Sequence, residues 1–276
     1  MSIPAPVPSE FVALGTFEIM SLALLGMVAG ILGGLLGLGG SVVMIPGLAL
    51  LLSRHPSADQ HLFQASAMIV NVIVSLPAAV RHHRAGHVPM DLVRWLLPAT
   101  TAAMILGVLA SNALSGEALR RCFAAFLVFV AASTIWSIFV NREDHAPQHA
   151  RVTPARGIGI GLATGTLGGL LGIGGGLLAV PMIQRLCKLP IRQAISASSS
   201  VMVVSSALGA AFKVGTIESH AHSWKGPFLL AACMAPTALV GGHIGAGLTH
   251  KAPLQVIRAI FGLTALAVAL RLADVF

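Results

Sequence analysis

Residues 26–46 read GMVAGILGGLLGLGGSVVMIP, and residues 161–181 read GLATGTLGGLLGIGGGLLAVP. At a constant offset of 135, eleven of these 21 positions are identical, among them Gly26/Gly161, Gly30/Gly165, Gly33/Gly168, Gly34/Gly169, Gly37/Gly172, Gly39/Gly174, Gly40/Gly175 and Pro46/Pro181. Past these segments the offset falls to 129 and the register continues. Gln64-Ala65 meets Gln193-Ala194, Arg84 meets Lys213, Gly86 meets Gly215, Trp95 meets Trp224 and Pro98 meets Pro227. Glycine richness alone gives scattered matches; it does not hold register through Gln-Ala, Trp and Pro. The chain therefore reads as an internal duplication. Its N-terminal repeat covers residues 1–140, a polar linker (NREDHAPQHARVTP) covers 141–154, and a C-terminal repeat covers 155–276.

Both repeats are built from long uncharged runs. No Asp, Glu, Lys or Arg occurs in residues 19–52, 62–80, 95–116, 122–140, 157–183, 193–212 or 226–250. A membrane-spanning helix needs about 20 apolar residues, and most of these runs reach that length. None alternates like a lipid-facing barrel strand. Residues 254–272, interrupted only by Arg258 and Arg271, read as a last span. Composition agrees: 56% of residues are hydrophobic and 9% charged, against roughly 25% charged in soluble domains. A soluble fold of this size could not hide so much apolar surface. The expected fold is an all-α integral membrane protein of two homologous, inverted repeats. It has eight long transmembrane helices plus two short helices that follow glycine-rich breaks. No positive charge precedes the first run, where Glu10 and Glu18 sit instead, so it reads as a retained span rather than a cleavable signal. The net charge of +8 is scattered among short loops. It fits lipid headgroups and membrane orientation rather than nucleic acid. Cys122, Cys187 and Cys233 have no CxxC spacing and read as packing residues.

The breaks follow from length. Residues 19–52 make 34 uncharged positions. As one helix they would reach about 51 Å, against a hydrocarbon core of about 30 Å. The run must break, and residues 37–41 are the place, because glycine permits positive φ and close backbone approach. Pro46 lies early in the second piece, near where a missing N–H costs least. Backbone opened at membrane depth is tolerated only inside protein or along a watery cavity. Two equivalent breaks point to a transporter binding site. A helix start offers unpaired N–H donors and about half a positive charge, which favour an anion.

The candidate substrate-binding residues are therefore Gly37, Gly39, Gly40 and Ser41 at the first break, and Gly172, Gly174, Gly175 and Gly176 at the second. The following spans add Asn71, Ser198, Ser199 and Ser200, whose amide and hydroxyls suit an oxyanion. A membrane-helix serine often bonds its own i−4 carbonyl, so the serine cluster is a stronger signal than any one member. Gly26, Gly30, Gly161 and Gly165 read as helix-packing glycines. His243, ionisable within an uncharged run, is a candidate for coupling to protons. His82, His83 and His87, with Arg81 and Arg84, read as a solvated basic loop. They lack the carboxylate or thiolate partners of a metal site. No metal and no cofactor is expected.

The duplicated GxxxGxxGGLLGxGGG…P pattern, the Ala/Ser-rich span after it and the basic R/K-x-G turn together resemble the TauE/SafE family, over about residues 15–272. This is the family of sulfite exporters and toluenesulfonate-uptake permeases. The resemblance implies transport of a sulfur-containing anion such as sulfite, a sulfonate or sulfoacetate, or of a related organic anion. Ser41 stands where the second repeat has Gly176, so the two breaks are not chemically equivalent.

Other classes fit less well. HExxH, GxSxG and an intramembrane Asp or Glu pair are all missing, and GLLGLGG lacks the spacing of a dinucleotide fingerprint. A non-transporting accessory or assembly protein would not need two matched breaks. The reading is a multi-pass transporter of a small anion in the inner or plasma membrane, not an enzyme. Its partners are the substrate and the bilayer, and a homo-oligomer is compatible. Charge distribution addresses topology. With Arg94 left aside, if each short helix counts as a crossing and the N-terminus is outside, the inner loops hold ten Lys and Arg and the outer six, Lys213 among the six. If the short helices count as fold-backs, the tally is eight against eight. The positive-inside rule favours the inverted arrangement, with the linker inside and both termini outside.

Overall fold

The structure, a computed structural model, describes residues 14–36, 39–53, 55, 58–84, 86, 88–139, 150–220 and 222–248. Gly37, the linker residues 141–149 and the anticipated span 254–272 lie outside them. The described chain is helical: α1 (Thr16–Leu36), α2 (Ser41–Leu51), α3 (Gln60–Arg84), α4 (Met90–Asn112), α5 (Gly116–Phe139), α6 (Pro154–Leu171), α7 (Gly176–Met182), α8 (Ile191–Gly215) and α9 (Lys225–Leu248). A π-helical turn, Ile183–Cys187, continues α7, and a 3₁₀ turn, Ile217–His220, follows α8. Five of these helices, α1, α3, α4, α8 and α9, are long and apolar enough to cross a membrane. Their outer faces present Phe17, Met20, Leu24, Leu106, Phe228 and Val240. Water would penalise such a surface; a bilayer is its natural solvent. The protein is a multi-pass membrane protein.

The anticipated breaks are where the uncharged runs become too long. α1 ends at Leu36 and α2 begins at Ser41; α6 ends at Leu171 and α7 begins at Gly176. Each short helix doubles back on the long one before it. A Cβ on Gly33 would lie 2.8 Å from the Gly39 carbonyl carbon, and one on Gly47 would lie 2.3 Å from Leu25. In the second case a Cβ on Gly168 would meet Gly175 N at 2.5 Å, and one on Gly175 would meet Thr164 O at 2.8 Å.

Glycines also set the packing between long helices. A Cβ on Gly26, Gly30 or Gly34 would collide with the backbone of Met234, Ala238 or Gly242. The matching numbers make α1 and α9 parallel along their length. In the same way Gly161, Gly165 and Gly169 of α6 press on Leu96, Thr100 and Met104 of α4. Without a hydrophobic force between helices in lipid, this close backbone approach is what dispersion attraction can use. α1 thus packs most extensively on α9, and α6 on α4.

α3 and α8 cross the middle and are the most buried of the five span candidates. The start of α3 lies against the end of α8, where Lys213 meets His61, and their midpoints meet at Asn71 and Met202. The two helices therefore run antiparallel. Two expectations need correction. Arg81–Arg84 form the last turn of α3, not a loop. Lys213 is no loop cation either: it lies inside α8 and is 1% exposed. The apolar run ends just before each group, but the helix does not, because neighbouring helices carry it on.

Candidate functional site

The two breaks converge on the crossing of α3 and α8. Gly39 and Gly174, equivalent in the repeat, both adopt φ +72°. That left-handed conformation strains any side-chain-bearing residue. It turns the chain sharply enough to bring both loops against the same two side chains. A Cβ on Gly39 would lie 2.8 Å from Asn71 Oδ1 and 3.0 Å from Met202 Sδ. A Cβ on Gly174 would lie 2.4 Å from Ser206 Oγ, 3.0 Å from Asn71 Nδ2 and 3.3 Å from Met202 Cγ. The backbone approaches these groups so closely that only glycine fits.

Asn71, fully buried, hydrogen-bonds the first turn and packs against the second. Gly40 N–H donates to its Oδ1 at 3.0 Å, and its Nδ2 donates to Ser41 Oγ. The Ser75 hydroxyl donates to the Asn71 carbonyl at 2.6 Å. The side chain thus caps the start of α2, an end that would otherwise hold orphan donors. At the second turn the chemistry reverses. Ser198 Oγ donates to Gly176 O at 3.3 Å, and Ser205 Oγ donates to Gly174 O at 3.4 Å. Here hydroxyls cover carbonyls.

Two hydroxyls remain unmet. Ser199 Oγ and Ser206 Oγ are buried without a hydrogen-bond partner. Burying a hydroxyl unpaired costs about 1–3 kcal/mol. Ser199, Met202 and Ser206 share one face of α8 at i, i+3 and i+7, the face that meets Gly39 and Gly174.

The remaining expected residues are dispersed around this centre. Gly172 caps α6 with φ +75° and packs on Gln64. Gly175 packs on Thr164. Ser200 is half-buried and donates to Ser196 O at 2.8 Å, the local i−4 bond. His243 is exposed on α9, away from the turns, with Nδ1 3.1 Å from Arg81 Nη2. Among the described residues no group of His, Cys, Asp and Glu could hold a metal.

A second polar cluster, missed in the sequence, occupies the end of the bundle where α3 begins and α8 ends. Lys213 Nζ donates to His61 Nδ1 at 2.8 Å, to Ser111 Oγ and to Asn112 Oδ1 at 2.9 Å. Ser111 Oγ donates to Gln64 Oε1 at 3.1 Å, and His61 Nε2 lies 3.1 Å from Leu114 O. The His220 ring stacks on His61 with centroids 3.7 Å apart. Just outside α3, His222 Nε2 lies 3.4 Å from Asp59 Oδ2. Burial alone would raise the Asp59 carboxyl. The His222 hydrogen bond, nearby His61 and the Gln60 N–H outweigh it and hold the pKa below the usual value. The available signal was a cation within helical reach of an apolar run; its partners lie 101 to 152 positions away.

Comparison with known proteins gives a consistent answer. Residues 22–272 match the family described as sulfite exporter TauE/SafE. The chain is 28% identical to a probable membrane transporter protein of Haemophilus influenzae, over 93% of this chain and 98% of that one. It is 26% identical to the probable membrane transporter protein YunE of Bacillus subtilis, over 86% and 90% respectively. It is 27% identical to the probable membrane transporter protein MamO of Paramagnetospirillum magneticum, over 92% of this chain but only 44% of MamO. The chain therefore spans less than half the length of that relative. No solved structure matches.

Proposed function

Because the chain belongs to the sulfite exporter TauE/SafE family of membrane transporters, we propose that it moves a small sulfur-containing anion, such as sulfite or an organosulfonate. The anion occupies the crossing of α3 and α8, between the two glycine turns. One observation carries this reading: two left-handed glycines, Gly39 and Gly174, meet at Asn71 and Met202 beside the unpartnered hydroxyl of Ser206, with that of Ser199 farther along the same face of α8. A tetrahedral oxyanion needs several donors at short range and room beside the backbone. Amide, hydroxyl and Cβ-free turns supply both.

The repeats, residues 1–140 and 155–276, are inverted in this reading. Equivalent helices related by an axis in the membrane plane must run antiparallel, and α3 and α8 do so. Such a relation brings both breaks to one depth from opposite faces.

The test is counterflow of radiolabelled sulfite and sulfoacetate in proteoliposomes. The native chain exchanges at least one of them. Gly39→Leu and Gly174→Leu lose exchange at least tenfold while still inserting in the membrane. Native exchange in both variants would remove the glycine turns from the site.

A further inference from the structure

We propose that Lys213, with His61, Ser111 and Asn112, forms a second anion-binding station, where the transported anion docks before passing to the glycine turns. The proposal rests on the reading of the chain as an anion transporter and adds where the anion is first held.

Lys213 is 1% exposed, within a helix long and apolar enough to cross the membrane. An ionisable group there is costly and marks a functional position by default. Its ammonium has three donors, and all three are used, on the His61 ring nitrogen, the Ser111 hydroxyl and the Asn112 carbonyl oxygen. All three acceptors are uncharged when His61 is neutral. They replace the water that the ammonium has lost, and among the described residues no carboxylate pairs with it directly; Asp59 acts on it only through space. Asp59, the nearby carboxylate, is engaged instead by His222 and the Gln60 N–H. The cluster therefore has a net affinity for an anion, and hydroxyl and amide groups beside the cation can turn to donate to it.

Helix packing alone does not demand this cluster. The repeat offset of 129 pairs Lys213 with Arg84, which is exposed. The same offset pairs His61 with Pro190, Ser111 with Val240 and Asn112 with Gly241. The same helices thus end elsewhere in the fold without a buried cation and without its polar partners. The chemistry is particular to one end of the molecule.

The station is also aligned with the central site. Ser206 and Lys213 are seven positions apart on α8, so they share a face about 10 Å apart. Between them a separate small apolar cluster gathers Met68, Met104, Val108 and Ala210. A Cβ on Gly209 would meet Met104 Sδ at 3.2 Å and Met68 Cε at 3.3 Å. Methionine is unbranched and readily repacked, so this plug is the part of the seam able to yield to a passing anion.

The experiment measures uptake of radiolabelled sulfite and sulfoacetate in proteoliposomes of uniform insertion, from each face in turn. Lys213→Met raises KM at least tenfold for uptake from the face where α8 ends, and changes KM from the opposite face less than twofold. Lys213→Arg restores most of the loss. A merely structural lysine would change both directions alike, and that result would overturn the proposal, as would no change in either. If Lys213→Met does not reach the membrane, Ser111→Ala and Lys213→Arg carry the test. One-sided KM increases with Ser111→Ala support the station, and equal effects from both faces reject it. A native protein that moves neither probe from either face rejects the anion-transport reading itself, and the station with it. A native protein that moves a probe while Lys213→Met behaves symmetrically rejects the station alone.

Discussion

Asn71 ties the first glycine turn to α3 through one amide and packs against the second turn. Replacing it by alanine leaves the Gly40 N–H without the acceptor that it has at 3.0 Å. A buried donor left unmet costs about 1–3 kcal/mol. Asn71→Ala should therefore lower thermal stability in detergent micelles by that order and abolish counterflow. Ser200→Ala, which removes only a local bond to Ser196 O, should change stability by no more than about 0.5 kcal/mol. Asp59 gives the molecule an acid-sensitive contact. Its pKa is held below the usual value, so it stabilises the fold above the unfolded carboxyl value of about 3.9 and loses that contribution as pH falls through the folded value. Thermal unfolding followed from pH 6 to pH 3 should show a falling limb that Asp59→Asn flattens. Asn71 was legible in the sequence because an amide stood out in an apolar run. Lys213 was not, because a cation at the end of an apolar run reads as the start of a loop. What keeps it inside is a set of partners on α3 and α4, and hydropathy holds no trace of them.

At the scale of helices, glycine does two different jobs, and substitution separates them. A Cβ on Gly30 would sit 2.2 Å from Ala238 O, in the seam between α1 and α9. Gly30→Val must push two backbones apart, a change that costs about 1–3 kcal/mol or more, and should sharply reduce the folded protein recovered from membranes. Gly159, in α6, has open space where its Cβ would lie. Gly159→Ala should be tolerated and should stabilise by about 0.5–1 kcal/mol, since alanine restricts the unfolded chain and favours helix. Size-exclusion profiles and thermal unfolding distinguish the two. The positions of the breaks could be read from the sequence, because 34 uncharged residues exceed what one straight span can use. The direction of the second piece could not. A short helix after a flexible turn can continue or return, and only the contacts of Gly33 with Gly39 and of Gly47 with Leu25 decide it.

For the molecule as a whole, the proposed inversion makes a topological prediction. Asn112 and Thr216 touch across α4 and α8, so the loops that follow them share one face. Arg151 N–H donates to Cys187 O, which places the linker end beside the end of the π-helical turn. Reporter fusions at Ser115 and at Ser223 should therefore report the same side of the membrane, with Ala150 on the other; Ser115 and Ser223 on opposite sides would reject inverted halves. Because α2 returns antiparallel to α1, the tally that applies is the one counting each short helix as a crossing, and removing the buried Lys213 from its outer loops widens its margin. The duplication itself was plain in the sequence. That the halves exchange their first helices was not, since glycine ladders announce close packing without naming the partner. The exchange has a consequence in time. α1 enters the bilayer long before the helix it rests on, α9, which begins only at Lys225. Until the ribosome has made almost all of the described chain, the glycine face of α1 has only lipid beside it. A stalled or truncated product would display that unfilled groove to the quality-control proteases of the membrane. Neither half can mature before the other has been synthesised.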